Sequence, residues 1–150
     1  MSMGSAASQV LNDAVQSAVS AGITVVVAAG NNNVDACTFS PASAPDAITV
    51  AAIDDEDNRA SFSNFGRCVA LFAPGCNIVS SWNLNSESYE VLSGTSMASP
   101  HVAGVAAYLM SRQDLRTPQA VKAQIISLAT SNMIPFTNGT ANLIAFNGYL

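Results

Sequence analysis

The sequence predicts an α/β domain built on a mostly parallel central sheet. Three observations point there. An amphipathic helical stretch closes at Gly22 and runs directly into "ITVVVAAG" (23–30), a short, continuous, β-branched run. Helix, glycine and a strand buried on both faces make half of a parallel α/β unit. Two more apolar runs, "AITVAAI" (47–53) and "CVALFAPG" (68–75), precede two helical patterns. Finally, 49 % of the 150 residues are hydrophobic and 10 % charged. That suits one domain with a sizeable core and excludes disorder.

Each element follows from its local pattern. In residues 5–21, Ala7, Val10, Leu11, Ala14, Ala18 and Val19 fall near one helical stripe, and Gly22 is the expected C-terminal cap. After the strand at 23–30, Gly30 and Asn31–Asn33 read as a turn. Residues 54–66 are polar and turn-rich, with "DDEDN" a solvated turn. "NIVSSW" (77–82) and "SYEVLSG" (88–94) read as a hairpin. A helix is expected from about Ser96 to Met110, with Val102, Val105, Ala106 and Leu109 on one side. Pro100 is placed in or near its first turn, where a missing N–H costs little. A last helix has Thr117 as N-cap and Pro118 at its first position, and runs through Val121, Ile125 and Leu128. The tail "ANLIAFNGYL" either adds a strand or packs on the core.

Charge and composition remove several function classes. Ten acidic residues against five basic ones give −5. No basic cluster exists, so nucleic acid is not an expected partner. No apolar run approaches the length of a membrane span. The opening "MSMGSAASQVL" has neither a basic region nor an apolar stretch of signal-peptide type. The chain is therefore expected to be intracellular or a piece of a longer precursor. Cys37, Cys68 and Cys76 permit one disulfide plus a free thiol, or three reduced thiols. Without a CxxC pair or histidine cluster, zinc is not expected.

In open α/β sheets, chemistry sits beyond the carboxyl ends of the strands. Both the asparagine turn after "VVVAAG" and "GTS" at a helix start fall there. A serine at a helix N-terminus presents its N–H to a developing oxyanion. Gly94 lets the backbone turn and a substrate approach. Taken alone, "GTS" reads more plainly as a helix cap, and Asn31 as a turn residue. His101, the sole histidine, follows Ser96 by five residues on the same helix. It lies roughly 140° around and about 7.5 Å along, out of reach of the serine hydroxyl. Lys122, the sole lysine, is placed on a surface helix turn and is no better as a base.

The blocks "VVVAAGNNN", "SPAS", "SFSNFG", "FAPG" and "GTSMASPHVAGVAAYL" occur together and in this order. With them the chain resembles subtilisin-like serine proteases of the proteinase K branch, including secreted and vacuolar fungal members. The resemblance covers essentially all 150 residues. It implies a three-layer α/β fold with helices on both faces of the sheet. It implies that Ser96 is the acyl-forming nucleophile and that Asn31 donates to the oxyanion together with the Ser96 N–H. Ser2, Met3 and Gly4 match the strand that pairs with substrate backbone. Ala28, Ala29 and Gly30 match the wall of the pocket for the side chain before the scissile bond, and suit an apolar or aromatic one. Cys37 and Cys68 match a bridge seen in vacuolar relatives, leaving Cys76 free. In the family pattern His101 is a helix residue, not the base.

The family's triad aspartate and histidine precede the substrate-pairing strand, on which this sequence opens. Residues 1–150 are thus expected to be the C-terminal half of a catalytic domain, its N-terminal part missing. Alone they are expected to lack triad hydrolysis. Implied partners are polypeptide substrates, with the N-terminal part of the same domain or an inhibitory propeptide. The implied compartment is extracellular or vacuolar. A family calcium site would use the carbonyls of Pro45 and Ala47, but the carboxylate position falls on Ala70. No metal is expected in this chain, and calcium is left to the full-length protein. "NGT" (138–140) is a glycosylation sequon. The alternative reading is a non-catalytic subtilase remnant acting as a peptide-binding or decoy module.

Overall fold

A computed structural model describes residues 1–149. A five-stranded sheet runs in the order β2 (Val26–Ala28), β4 (Ile48–Ile53), β5 (Leu71–Pro74), β9 (Leu143–Ile144), β8 (Thr130–Ser131). Its first three junctions are parallel, with Val26 opposite Ile48, Val50 opposite Leu71 and Phe72 opposite Ile144. Within this sheet, β8 pairs with β9 antiparallel. The tail thus adds a strand.

The strands are apolar on both faces, and the pleat sorts them into different cores. Val26, Ile48, Val50, Ala52, Leu71 and Ala73 pack against helix α2 (Thr95–Arg112) and helix α3 (Pro118–Leu128). Val27, on the opposite face, packs against Val15 and Val19 of α1 (Gln9–Ser20). Ala51, Ile53 and Phe72 share that second face with Ala29, Ala36 and Ile134. Coverage on both sides is what continuous apolar strands require. The result is a three-layer α/β fold.

Helix α1 is shorter than the sequence pattern suggests. Ser8 caps it, its Oγ accepting from Leu11 N. Ser5–Ala6 instead form β1, antiparallel to β3 (Phe39–Ser40). Val10 is 81 % exposed, and Ala7 and Ala14 are also exposed. The buried stripe is Leu11, Val15, Ala18 and Val19, spaced i, i+4, i+7 and i+8, which places Val10 about 100° off it. β6 (Ile78–Ser81) and β7 (Tyr89–Leu92) form the expected hairpin, standing clear of the sheet. α3 begins as expected, with Thr117 Oγ1 accepting from Ala120 N.

Pro100 is the sixth residue of α2, beyond its first turn. Its ring nitrogen has no proton to give the carbonyl of Ser96, four residues back. The hydroxyl of Ser2 takes that oxygen instead, at 2.8 Å.

Candidate functional site

Two elements meet at the carboxyl end of the sheet. β2 ends at Ala28 and leads through Ala29 into the turn Gly30–Asn33, and β5 ends at Pro74, so that Gly75 lies next to the start of α2. Gly75 is held close: a Cβ there would lie 2.5 Å from Ala52 Cβ and 2.9 Å from Gly94 O. Gly94 N donates to Gly75 O at 2.7 Å, which seats the helix start on the strand end. Only a residue without a side chain allows that approach.

Thr95 ties the turn to the helix. Its Oγ1 accepts from Gly30 N at 3.1 Å and donates to Asn31 Oδ1 at 2.8 Å, while Thr95 N donates to the same oxygen at 2.9 Å. With Oδ1 committed twice, the Asn31 amide presents Nδ2 outward. Met97 N and Ala98 N both donate to Gly94 O. Ser96, at the second helical position, has no intrahelical acceptor for its N–H. A Cβ placed on Gly94 would lie 3.4 Å from Asn31 Nδ2 and 3.6 Å from Ser96 N. Two N–H donors therefore border one atom-sized space above Gly94, beside the half-buried Ser96.

Ser96 stands between two grooves. One, of about 230 Å³, is lined by Ser2, Met3, Gly4, Ala28, Gly30, Asn31, Asn32, Phe39, Thr95 and Ser96. Most residues singled out from the sequence meet there. Ala29 does not: it is fully buried on the opposite side, packed with Ala36 and Phe72, because successive residues of β2 and its extension alternate faces. Residues 1–4 run beside β2, with Ala28 N donating to Met1 O at 3.1 Å. The second groove, about 300 Å³, lies between the β6–β7 hairpin and α2, lined by Ile78, Val79, Ser80, Ser96, Met97, Pro100 and His101. His101 is exposed, and its Nδ1 pairs with Met97 O at 2.8 Å on its own helix.

A model of the Subtilase family matches residues 1–146. This chain belongs to the subtilase family. It is 51 % identical over 148 residues to Alkaline protease 1 of Aspergillus flavus, covering 99 % of this chain and 37 % of that protein. Subtilisin-like protease 2 of Pseudogymnoascus destructans is 49 % identical with the same coverage. A crystal structure of a cold adapted subtilisin-like serine proteinase superposes with a TM-score of 0.91 at 45 % identity, covering 97 % of this chain and 52 % of that one. The subtilase chain thus spans little more than a third of the curated relatives' length.

Elsewhere in this subtilase chain, Cys37 and Cys68 form a disulfide, with Cα atoms 5.3 Å apart. It fastens the turn after Asn31–Asn33 to the segment entering β5. Cys76 is a half-buried free thiol whose pKa is raised, first by burial and then by Asp54 and Asp55. The carbonyls of Pro45 and Ala47 both accept from Lys122 Nζ, at 3.2 and 2.8 Å. Burial lowers the Lys122 pKa, and Asp46 opposes that shift. Calcium takes six to eight oxygens, usually with carboxylates among them. An ammonium donating to both carbonyls, with Ala70 in place of an acid, does not fit a calcium ion. No group of three or more His, Cys, Asp or Glu able to hold a metal occurs among the described residues. No helix of the described residues is long and apolar enough to cross a membrane.

Sequence reasoning missed two parts of this arrangement. In "GTS", Thr95 shows no more than helix-cap character, because a threonine before a serine carries no sign of which partner it holds. Nothing in "SFSNFG" shows that the Asn64 side chain is fully buried beneath the Asn31 turn.

Proposed function

We propose that this chain is the nucleophile-bearing part of a serine endopeptidase domain, with its base supplied by polypeptide outside residues 1–150. Ser96 Oγ attacks the carbonyl carbon of a peptide bond and its proton passes to that base. The oxyanion so formed is held by Ser96 N–H and Asn31 Nδ2. When the C–N bond breaks, the proton leaves on the amine and the acyl group stays on Ser96 until water releases it. The observation that carries this reading is the pair of donors bordering one space above Gly94.

Substrate lies in the groove edged by Ser2, Met3 and Gly4, whose backbone pairs with it. The side chain before the scissile bond enters between Ala28, Gly30 and Phe39, small walls with one aromatic surface. The base enters the groove between the hairpin and α2, on the other flank of Ser96. An apolar groove beside the outer edge of β2, lined by Met1, Ile23, Val26, Ala103, Ala107 and Met110, receives further polypeptide of the same domain. The Cys37–Cys68 bridge and the protease relatives support an oxidising, extracellular or vacuolar setting.

A fluorophosphonate probe tests this. In the complete polypeptide it should label Ser96, and Ser96→Ala should abolish the labelling. The isolated 150-residue chain should not label. Robust labelling of Ser96 in that chain would show that no outside base is needed. A complete polypeptide that binds peptides but never labels would favour a non-catalytic, peptide-binding remnant.

A further inference from the structure

Asn64 is 0 % exposed and lies directly under the turn that carries Asn31. Its backbone N–H donates to Gly30 O at 2.9 Å. Its Nδ2 donates to Ala29 O at 2.9 Å, and its Oδ1 accepts from Asn32 N at 3.0 Å and Val34 N at 3.1 Å. The side-chain amide thus grips the chain on both sides of Asn31 without touching the Asn31 amide itself. Gly30 is shaped to it: φ is +102°, and a Cβ there would lie 2.4 Å from Asn64 Nδ2. The amide occupies the space a side chain at Gly30 would need.

A donor stabilises an oxyanion only if it is already in place when charge develops. A shift of about half an ångström in the supporting backbone is enough to spoil such a site. Thr95 fixes the Asn31 side chain and the Gly30 N–H from the helix side, but no bond from that side reaches the peptide group after Asn31. The Asn64 side chain holds that group through Asn32 N, and shares with Thr95 the peptide between Ala29 and Gly30. We propose that Asn64 is a positioning residue for the hydrolytic reaction, holding the Asn31 turn so that Nδ2 meets the oxyanion. This rests on the reading of Asn31 and Ser96 given above.

The test is a double-mutant cycle in the complete polypeptide, with kcat expressed per fluorophosphonate-titrated active site so that any misfolded fraction drops out. Asn64→Asp keeps the acceptor for Asn32 and Val34 but sets an oxygen against Ala29 O. Asn64→Ser removes the amide altogether. Each should lower kcat about 10-fold or more, with KM changed less than about 2-fold. In an Asn31→Ala background the same substitutions should change kcat less than about 2-fold, since Asn64 then has no donor to position. Equal losses in both backgrounds, or no loss in the parent, would overturn the role of Asn64 alone. If Asn31→Ala itself left kcat intact, the oxyanion reading would fall and this proposal with it.

Discussion

The hydroxyl of Ser2 donates to the carbonyl oxygen of Ser96 at 2.8 Å, across 94 residues of chain. The proline that frees this carbonyl, Pro100, belongs to the same helix as Ser96. A break in the helical hydrogen-bond ladder is thereby turned into a tie between the extended segment edging the groove and the serine beside it. Position and hydrogen bonding of Ser2 and Ser96 are coupled through one oxygen atom.

Ser2→Ala should loosen that tie without touching the donors. Residues 1–4 keep the Met1 to Ala28 bond at one end and are followed by the β1–β3 pairing of Ser5 and Ala6 at the other. The expected result is a kcat/KM on peptide substrates lower by about 3- to 10-fold, with a stability loss of about 1 kcal/mol, the usual net worth of one hydrogen bond. Steady-state kinetics and thermal melts of the complete polypeptide check both. An unchanged kcat/KM would mean that the neighbouring backbone bonds alone hold the segment.

Gly94→Ala should separate activity from folding. The φ of 161° at Gly94 is extended backbone open to alanine. The added methyl would sit 3.4 Å from Asn31 Nδ2 and 3.6 Å from Ser96 N, in the space where the oxyanion is proposed to form. We expect kcat to fall by at least about 10²-fold, the loss usual when one oxyanion donor is disabled, while the melting temperature changes little. Retained activity would place the reacting oxygen elsewhere.

How much of this was legible beforehand depended on the kind of contact. β4, β5 and α3 carry their own signals, an apolar run or a Thr-Pro start, and form nearly where expected. The site residues came from motif resemblance, and the groove gathers Ser2, Met3, Gly4, Ala28, Gly30, Asn31 and Ser96. What escaped depends on partners far along the chain. Ala29 falls on the buried side because strand alternation, not adjacency in sequence, decides which alanine faces the groove. Val10 is exposed because it lies about 100° off the stripe that packs on the sheet, and the run of small apolar residues does not say which flank of that stripe meets the sheet. Asn64 spends its amide on residues some 30 positions earlier, and no local pattern in "SFSNFG" announces that.

Cys76 offers a pH-dependent readout. Burial, followed by the nearby Asp54 and Asp55, raises its thiol pKa. The reactive species is the thiolate. Iodoacetamide should therefore modify Cys76 more slowly than an unstructured cysteine peptide at mildly alkaline pH, with the rate profile displaced upward. The folded state also holds this proton more firmly than the unfolded chain. Its contribution to stability accordingly declines as pH rises through and above the ordinary thiol range. Asp54→Asn with Asp55→Asn should move the profile part of the way back, leaving the burial contribution. A profile matching the free peptide would contradict the raised pKa.

Lys122 places one positive charge on the loop carrying Pro45 and Ala47. Its stem leaves α3 and its ammonium bridges two carbonyls 75 and 77 residues away. Lys122→Met keeps much of the stem and removes the charge and all three donors. Both carbonyls then lose the ammonium, and water can take its place at the exposed Pro45, so a destabilisation of about 1 kcal/mol is expected. Calcium should not restore it, because Ala70 contributes no carboxylate and two carbonyls are too few ligands for that ion. Thermal melts of parent and variant in calcium and in chelator provide the check. The difference between the two proteins should be the same in both buffers. A variant that recovers its melting temperature only with calcium would show that the carbonyl pair accepts a metal once the ammonium is gone. Adding Ala70→Asp to Lys122→Met supplies the missing acid and should create that calcium dependence; a double variant whose melting temperature is the same in calcium and in chelator would show that an acid and two freed carbonyls do not suffice for the ion.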